Sequence, residues 1–301
     1  MQRDGRPRAL WRILLFVALF VLLVLLALLL VPALQTVPLT EEGRLSMGLI
    51  LQSGLLGAAA LAAGWIMLRF VDGEPFRVLG LGTGPRVPRE LGAGLALGVG
   101  SVALTVLVLV AVGAYRYAGD EGGMAGWLAV SATSLAAVAI PAAAEEAMFR
   151  GYLFRTLVDG AGAGVAIAIT SVLFTLAHGS NPNVTGLGLV NILLAGMLLA
   201  VAVLRTGSLW FASTLHLGWN WVMAGPLDLP VSGLASYDVP IYDLAGEGPD
   251  WITGGSFGPE GGLAGTAAAA LALLLVVRMT RPGAPLAGHY GKRRPDHGED
   301  R

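Results

Sequence analysis

Long runs of apolar residues, separated by short polar segments, dominate this 301-residue chain. A helix needs about 20 such residues to cross the hydrocarbon core of a bilayer. The short alternating segments of a membrane β-barrel do not occur. The pattern therefore predicts an all-α, polytopic membrane protein with about eight transmembrane helices. The predicted spans cover residues 11–34, 45–70, 90–116, 127–157, 163–179, 186–204, 208–225 and 262–280.

The composition agrees with this class and narrows the chemistry. The chain is 55% hydrophobic and 13% charged, whereas a soluble domain carries about a quarter charged residues. The net charge of -1 does not indicate a nucleic-acid partner. The chain has no cysteine, which excludes disulfides, thiol catalysis and thiolate metal sites.

The distribution of basic residues predicts the orientation in the membrane. With eight spans, both termini and most of the arginines lie on one side, which is cytoplasmic by the positive-inside rule. The opposite side holds the loop 226–261, which has six acidic residues and no Lys or Arg. We expect a multi-pass protein of the cell membrane with both termini in the cytoplasm. The apolar run from Ile13 to Val31 is longer than the core of a signal peptide, so we expect an uncleaved first span.

Two adjacent carboxylates, Glu145 and Glu146, interrupt the fourth span. A charge within the bilayer core costs at least a few kcal/mol, so such residues are rare and usually functional. Glu146 precedes Arg150 by four residues, which is the favourable order for an ion pair on a helix. An ion pair with Arg150 accounts for a charged Glu146 within the span equally well as a direct catalytic role does. Glu145 points about 100° away and has no basic partner at helical spacing, so it is the better candidate for a general base.

Two histidines and an asparagine add further polar groups within apolar spans. His178 ends the fifth span, and His216 and Asn220 share one face of the seventh. A single histidine at the end of a span is more often interfacial. At about 1.5 Å of rise per residue, Glu145, His178 and Asn220 lie roughly 18–21 Å, and His216 roughly 12 Å, above the cytoplasmic turns. These similar depths predict that the four side chains converge.

These residues form three motifs, which resemble the CAAX-protease and bacteriocin-processing (Abi) family of membrane proteins. The family, which includes the CAAX prenyl endopeptidases, has the patterns Glu-Glu-x-x-x-Arg, Phe-x-x-x-His and His-x-x-x-Asn on successive spans. The matching positions are Glu145, Glu146 and Arg150; Phe174 and His178; and His216 and Asn220. The resemblance covers about residues 125–225 and implies that spans four to seven form a catalytic core.

The resemblance also implies the role of each side chain. Glu145 and His178 would activate the attacking water, and His216 and Asn220 would occupy an oxyanion or metal position. The substrate would be a membrane-associated protein or peptide, with CAAX-type lipidated chains as the class that the family name suggests. Members are described both as metalloproteases and as metal-free glutamate enzymes. Glu145, His178 and His216 could bind zinc or another divalent metal, but a base with hydrogen-bond donors could also act alone.

The sequence outside residues 125–225 contains fewer indications of function. Residues 1–124 are expected to form the N-terminal transmembrane helices, and residues 262–280 the final one. The loop 226–261 is acidic and rich in glycine, and its part from Gly254 to Gly262 is expected to be flexible and without a role. The polar tail 281–301 is expected to be disordered.

Two other classes of function fit the same residues. A non-enzymatic immunity or scaffold protein could retain an ancestral site. A proton or metal transporter could use buried Glu and His as relays or ligands, although no repeat or pair of broken helices supports this. Other intramembrane proteases fit worse, because the chain lacks the His-Glu-x-x-His, Gly-x-Ser-Gly and Gly-x-Gly-Asp motifs.

Overall fold

The computed structural model describes residues 7–30, 40–41, 44–45, 47–234 and 237–280. The predicted disordered tail 281–301 lies outside the described residues. The described chain is mainly helical. The helices are α1 (Ala9–Leu30), α2 (Met47–Ile66), α3 (Val87–Ala111), α4 (Met124–Arg150), α5 (Tyr152–Ala161), α6 (Ala163–Ala177), α7 (Gly186–Thr206), α8 (Leu209–Ala224), α9 (Asp250–Thr253) and α10 (Leu263–Met279).

The prediction of an all-α, polytopic membrane protein is confirmed. Within the described ranges, five helical segments are long and apolar enough to cross a membrane, and α6 and α10 are shorter apolar helices. The five segments are Ala9–Leu29, Met47–Asp72, Val87–Ala111, Met124–Ala161 and Gly186–Thr206. The count of eight spans stays a prediction, because α6, α8 and α10, with 15, 16 and 17 residues, are shorter than an untilted spanning helix needs to be.

The short non-helical elements connect the ends of the helices. Strand β1 (Thr40–Glu41) pairs with β2 (Arg44–Leu45), and β3 (Tyr115–Gly119) pairs with β4 (Tyr242–Gly246), both antiparallel. The second pair ties the connection between α3 and α4 to the loop 226–261, with Tyr115 opposite Gly246.

Helix α8 lies at the centre of the bundle and packs against α3, α4 and α7. Its approach to α3 depends on two glycines. A Cβ atom on Gly98 of α3 would lie 2.2 Å from the carbonyl oxygen of Leu215, and one on Gly218 of α8 would lie 2.5 Å from that of Leu95. Without side chains between them the two backbones come into direct contact, as is common for small residues in lipid. This contact fixes the turn of α8 that carries His216.

The predicted fourth span, 127–157, lies within the apolar helical segment Met124–Ala161, but that segment is divided into two helices. Helix α4 passes through Pro141 without ending, but it stops at Arg150, and α5 starts at Tyr152. Between them Gly151 adopts φ -74° and ψ -125°, and a Cβ there would lie 2.3 Å from the carbonyl oxygen of Ala147. The depth of Glu145 therefore cannot be counted along one helix axis.

The glycine-rich segment that was expected to be a flexible loop has a defined backbone conformation. Residues 254–262 form two short 3₁₀ turns, Gly255–Phe257 and Pro259–Gly261, which are largely buried against the membrane helices. Asn191 of α7 donates hydrogen bonds to the carbonyl oxygens of Glu260, at 2.9 Å, and Gly262, at 2.8 Å. The glycines allow tight turns rather than disorder, since Gly254 and Gly258 have φ near +90°.

Candidate active site

A buried carboxylate, that of Glu146, lies at the centre of the candidate site. Its Oε1 atom accepts hydrogen bonds from Nη1 of Arg150 and from Nδ1 of His216, both at 3.0 Å. Nη2 of Arg150 donates to the carbonyl oxygen of Gly196 at 3.0 Å. Glu146 and Arg150 are fully buried. One carboxylate therefore joins α4 to α8, while Arg150 joins α4 to α7.

Aromatic side chains surround this ion pair. The guanidinium of Arg150 lies over the ring of Phe174, with its central carbon 4.4 Å from the ring centroid. The same ring lies 4.5 Å from the imidazole of His178 and 5.9 Å from that of His216, measured between centroids. The Phe174 ring thus contacts the arginine and both imidazoles, and it gives the cation a favourable ring face.

Glu145 faces Nε2 of His216, whereas Glu146 contacts Nδ1 of the same ring. The Oε2 atom of Glu145 is 3.8 Å from Nε2 of His178 and 3.9 Å from Nε2 of His216. Both distances are too long for direct hydrogen bonds and are suited to bridging by one water molecule. Among the described residues Oε2 has no hydrogen-bond partner and is buried. The Glu145 side chain as a whole is 25% exposed, and this exposed area comes from atoms other than Oε2.

The hydrogen bonds of the two imidazoles fix which nitrogen faces Glu145. Nδ1 of His178 lies 2.8 Å from the carbonyl oxygen of Phe174, which can only accept, so Nδ1 carries a proton. Nδ1 of His216 likewise donates to the Glu146 carboxylate. Both rings therefore direct Nε2 toward Glu145.

His216 and Asn220 line a small cavity beside these groups. Its volume is about 30 Å³, which is enough for one or two water molecules. The cavity is lined by Phe174, His178, Ile192, Ala195, Leu198, Leu199, Leu215, His216, Trp219, Asn220, Ser232 and Glu260. The structure thus brings Glu145, His178 and His216 together and places Asn220 one turn further along α8.

Three lining residues, Trp219, Ser232 and Glu260, were missed by the sequence analysis. Oε1 of Glu260 accepts from Nε1 of Trp219 at 2.8 Å, and Oε2 accepts from the backbone N–H and the hydroxyl of Ser232 at 2.7 and 2.8 Å. The only signal in the sequence was that Glu260 lies in a glycine-rich stretch next to the last span. A count of charges alone assigns such a residue to a solvated loop.

Glu145, His178 and His216 are residues of the types that bind zinc. The distances between their side chains, however, are not those of a zinc site. Among the described residues, no group of three or more His, Asp or Glu side chains is arranged to hold a metal ion. Tetrahedral ligands with bonds of about 2.0–2.1 Å lie about 3.3–3.5 Å apart. The separations of 3.8 and 3.9 Å between Glu145 and the two imidazoles are wider. As placed, these residues do not fit a bound zinc, so we derive no step through a metal.

Residues 126–222 match the family model of Type II CAAX prenyl endopeptidase Rce1-like proteins. The predicted resemblance to the CAAX protease family is confirmed. The matched segment contains all three motifs and runs from α4 to near the end of α8. No curated protein and no solved structure matches the chain. The family is one of proteases, and the apolar helices make this chain a multi-pass membrane protein.

The two glutamates are expected to differ in their effect on folding. Glu146→Gln leaves Arg150 buried without a carboxylate, which should lower the free energy of unfolding by about 3–5 kcal/mol. Glu145→Gln removes no hydrogen bond between described residues and should change it by less than about 1 kcal/mol. Denaturant unfolding in detergent measures both values. Equal losses for the two variants would contradict the separate roles.

Proposed function

We propose that this protein is an intramembrane endopeptidase in which Glu145 and His178 activate the attacking water. The observation that supports this most directly is the convergence of Glu145 Oε2 on the Nε2 atoms of His178 and His216, within 3.9 Å. Glu145 Oε2 and Nε2 of a neutral His178 are both acceptors, and they face each other there. A water molecule with two O–H groups satisfies such an arrangement better than direct contacts do.

In the proposed reaction the water lies between Glu145 Oε2 and His178 Nε2. Its oxygen attacks the carbonyl carbon of the scissile peptide bond, and its proton passes to Glu145. The tetrahedral intermediate then loses the amine, which takes that proton as the C–N bond breaks. The product with the new carboxyl end and the product with the new amino end both leave the site. General acid–base catalysis of this kind contributes about 10²–10⁴-fold to a rate.

His216 and Asn220 are proposed to stabilise the oxyanion. The amide of Asn220 supplies an N–H donor on the cavity wall. The Glu146 carboxylate, 3.0 Å from Nδ1, stabilises a protonated His216, whose Nε2–H can then also donate. Donors already placed where negative charge develops are usually the largest single contribution to such a reaction.

The substrate class and the membrane orientation belong to the same proposal. The family match favours membrane-associated peptides, with CAAX-type lipidated chains as the first class to test. The positive-inside rule places both termini in the cytoplasm, with the loop 226–261 on the opposite face.

Substitution of the two water-activating groups tests the proposal. In purified protein in vesicles, Glu145→Ala and His178→Ala should each lower kcat/KM for a membrane peptide at least about 100-fold. Glu121→Ala is the matched control, because it removes an exposed carboxylate in the connection between α3 and α4. If both site variants cleave every tested substrate at the wild-type rate, the protease proposal fails.

Metal removal gives a separate test. Because the ligand spacing is wider than zinc requires, we expect less than one zinc ion per ten chains and full cleavage after dialysis against a chelator. Elemental analysis of the wild type and of His216→Ala provides the comparison. A wild-type content near one ion per chain that is lost in His216→Ala, together with chelator-sensitive cleavage, would contradict the metal-free mechanism.

A further inference from the structure

The cavity beside His216 and Asn220 is too small for the proposed substrate. Its volume of about 30 Å³ admits water but not a peptide bond with its neighbouring residues. Part of its wall must therefore move before a peptide can reach these two side chains. Most of the wall comes from α6, α7 and α8, and the remainder from Ser232 and Glu260 of the loop 226–261.

The helical part of the wall is firmly packed. Helix α8 is in backbone contact with α3 through Gly98 and Gly218, and α7 packs against α6 and α10. Displacing either helix would disrupt the main hydrophobic core. The loop part is held to the helices by Phe257, by the Glu260 carboxylate and by Asn191, which donates to two carbonyl oxygens of the segment. None of residues 254–262 belongs to the main hydrophobic core, so this segment is the part of the wall that can open at least cost.

Residues 254–262 carry most of these contacts. Phe257 is buried against Phe174 and Ile192. Glu260 uses both carboxylate oxygens, one for the indole N–H of Trp219 at 2.8 Å and the other for two donors of Ser232 at 2.7 and 2.8 Å. Hydrogen bonds to a charged acceptor are stronger than those between neutral groups.

The backbone of the same segment contains glycines where it turns. Gly254 and Gly258 have φ of +88° and +90°, a region that other residues rarely adopt. A Cβ on Gly258 would lie 2.1 Å from the carbonyl oxygen of Pro230. These turns let the segment pack closely against the protein, where Phe257, the Glu260 carboxylate and the two hydrogen bonds from Asn191 hold it.

We propose that residues 254–262 form a movable cover over the cavity lined by His216 and Asn220, and that Glu260 is the positioning residue that holds this cover against α8. Release of the Glu260 carboxylate from Trp219 and Ser232 opens the cavity to a peptide. The purpose of the cover rests on the proposed protease function. Its opening is a property of the fold that can be measured without cleavage.

The absence of native cysteine makes a single introduced thiol a clean reporter. Ile192→Cys places the thiol on the cavity wall beneath Phe257. We expect Glu260→Ala to raise its rate of alkylation by a water-soluble maleimide in detergent at least about tenfold, because the closed state loses the acceptor of three hydrogen bonds. Glu260→Gln should give an intermediate rate, since its amide oxygen can still accept from Trp219.

Two controls distinguish opening of the cover from a general destabilisation of the protein. Ala63→Cys reports on a fully buried position of α2, in the cluster with Met67 and Tyr152, and its rate should stay unchanged. Asp243→Ala removes an exposed carboxylate elsewhere in the loop 226–261 and should leave the Ile192→Cys rate unchanged.

The outcomes distinguish this inference from the function. An unchanged Ile192→Cys rate in both Glu260 variants overturns the cover, and so does equal acceleration at both reporter positions. If Glu260→Ala does not fold, Glu260→Gln provides the same comparison. Cleavage that survives Glu145→Ala overturns the protease proposal but leaves the alkylation rates, and hence the cover, unaffected.

Discussion

The pair of hydrogen bonds accepted by one oxygen of Glu146 is the constraint on which the site depends. A carboxylate, a guanidinium or an imidazole buried alone in this bundle would be strongly destabilising. Here Oε1 of Glu146 accepts hydrogen bonds from both Arg150 and His216 at 3.0 Å. Arg150 also reaches the carbonyl oxygen of Gly196. A single buried group thus fixes α4 relative to α7 and α8 and sets the orientation of the His216 ring.

Small residues allow the helices to approach closely enough for these hydrogen bonds to form. Glu146 and His216 have short side chains, so their helices must approach closely for one to bond the other. Ala144, just before the glutamate pair, lies so close to Gly57 of α2 that a Cβ on Gly57 would be 2.7 Å from that of Ala144. Helix α4 is thus held by α2 on one side and by the bond to His216 of α8 on the other, and in this position Glu145 faces the imidazoles.

Local periodicity explains what the sequence could predict. The i,i+4 spacing of Glu146 and Arg150 gave their ion pair, and the shared face of His216 and Asn220 follows from the same rule. That His216 bonds the same oxygen as Arg150 was not predictable, because it depends on how α4 and α8 pack. The break at Gly151 was missed because apolar residues continue on both sides of it. Glu260 was missed because its partners, Trp219 and Ser232, are 41 and 28 positions away in the chain.

The proposed catalytic role of Glu145 rests on the different contacts of the two adjacent glutamates. If Glu146 is committed to Arg150 and His216, Glu145 is the carboxylate that remains available to water. A double-mutant cycle between Glu146→Gln and Arg150→Gln measures that commitment most directly. We expect each single variant to lower the free energy of unfolding strongly, and the double variant to lose less than their sum by about 1–3 kcal/mol. Additive losses would show that the two side chains do not depend on each other and would contradict the central role of Glu146.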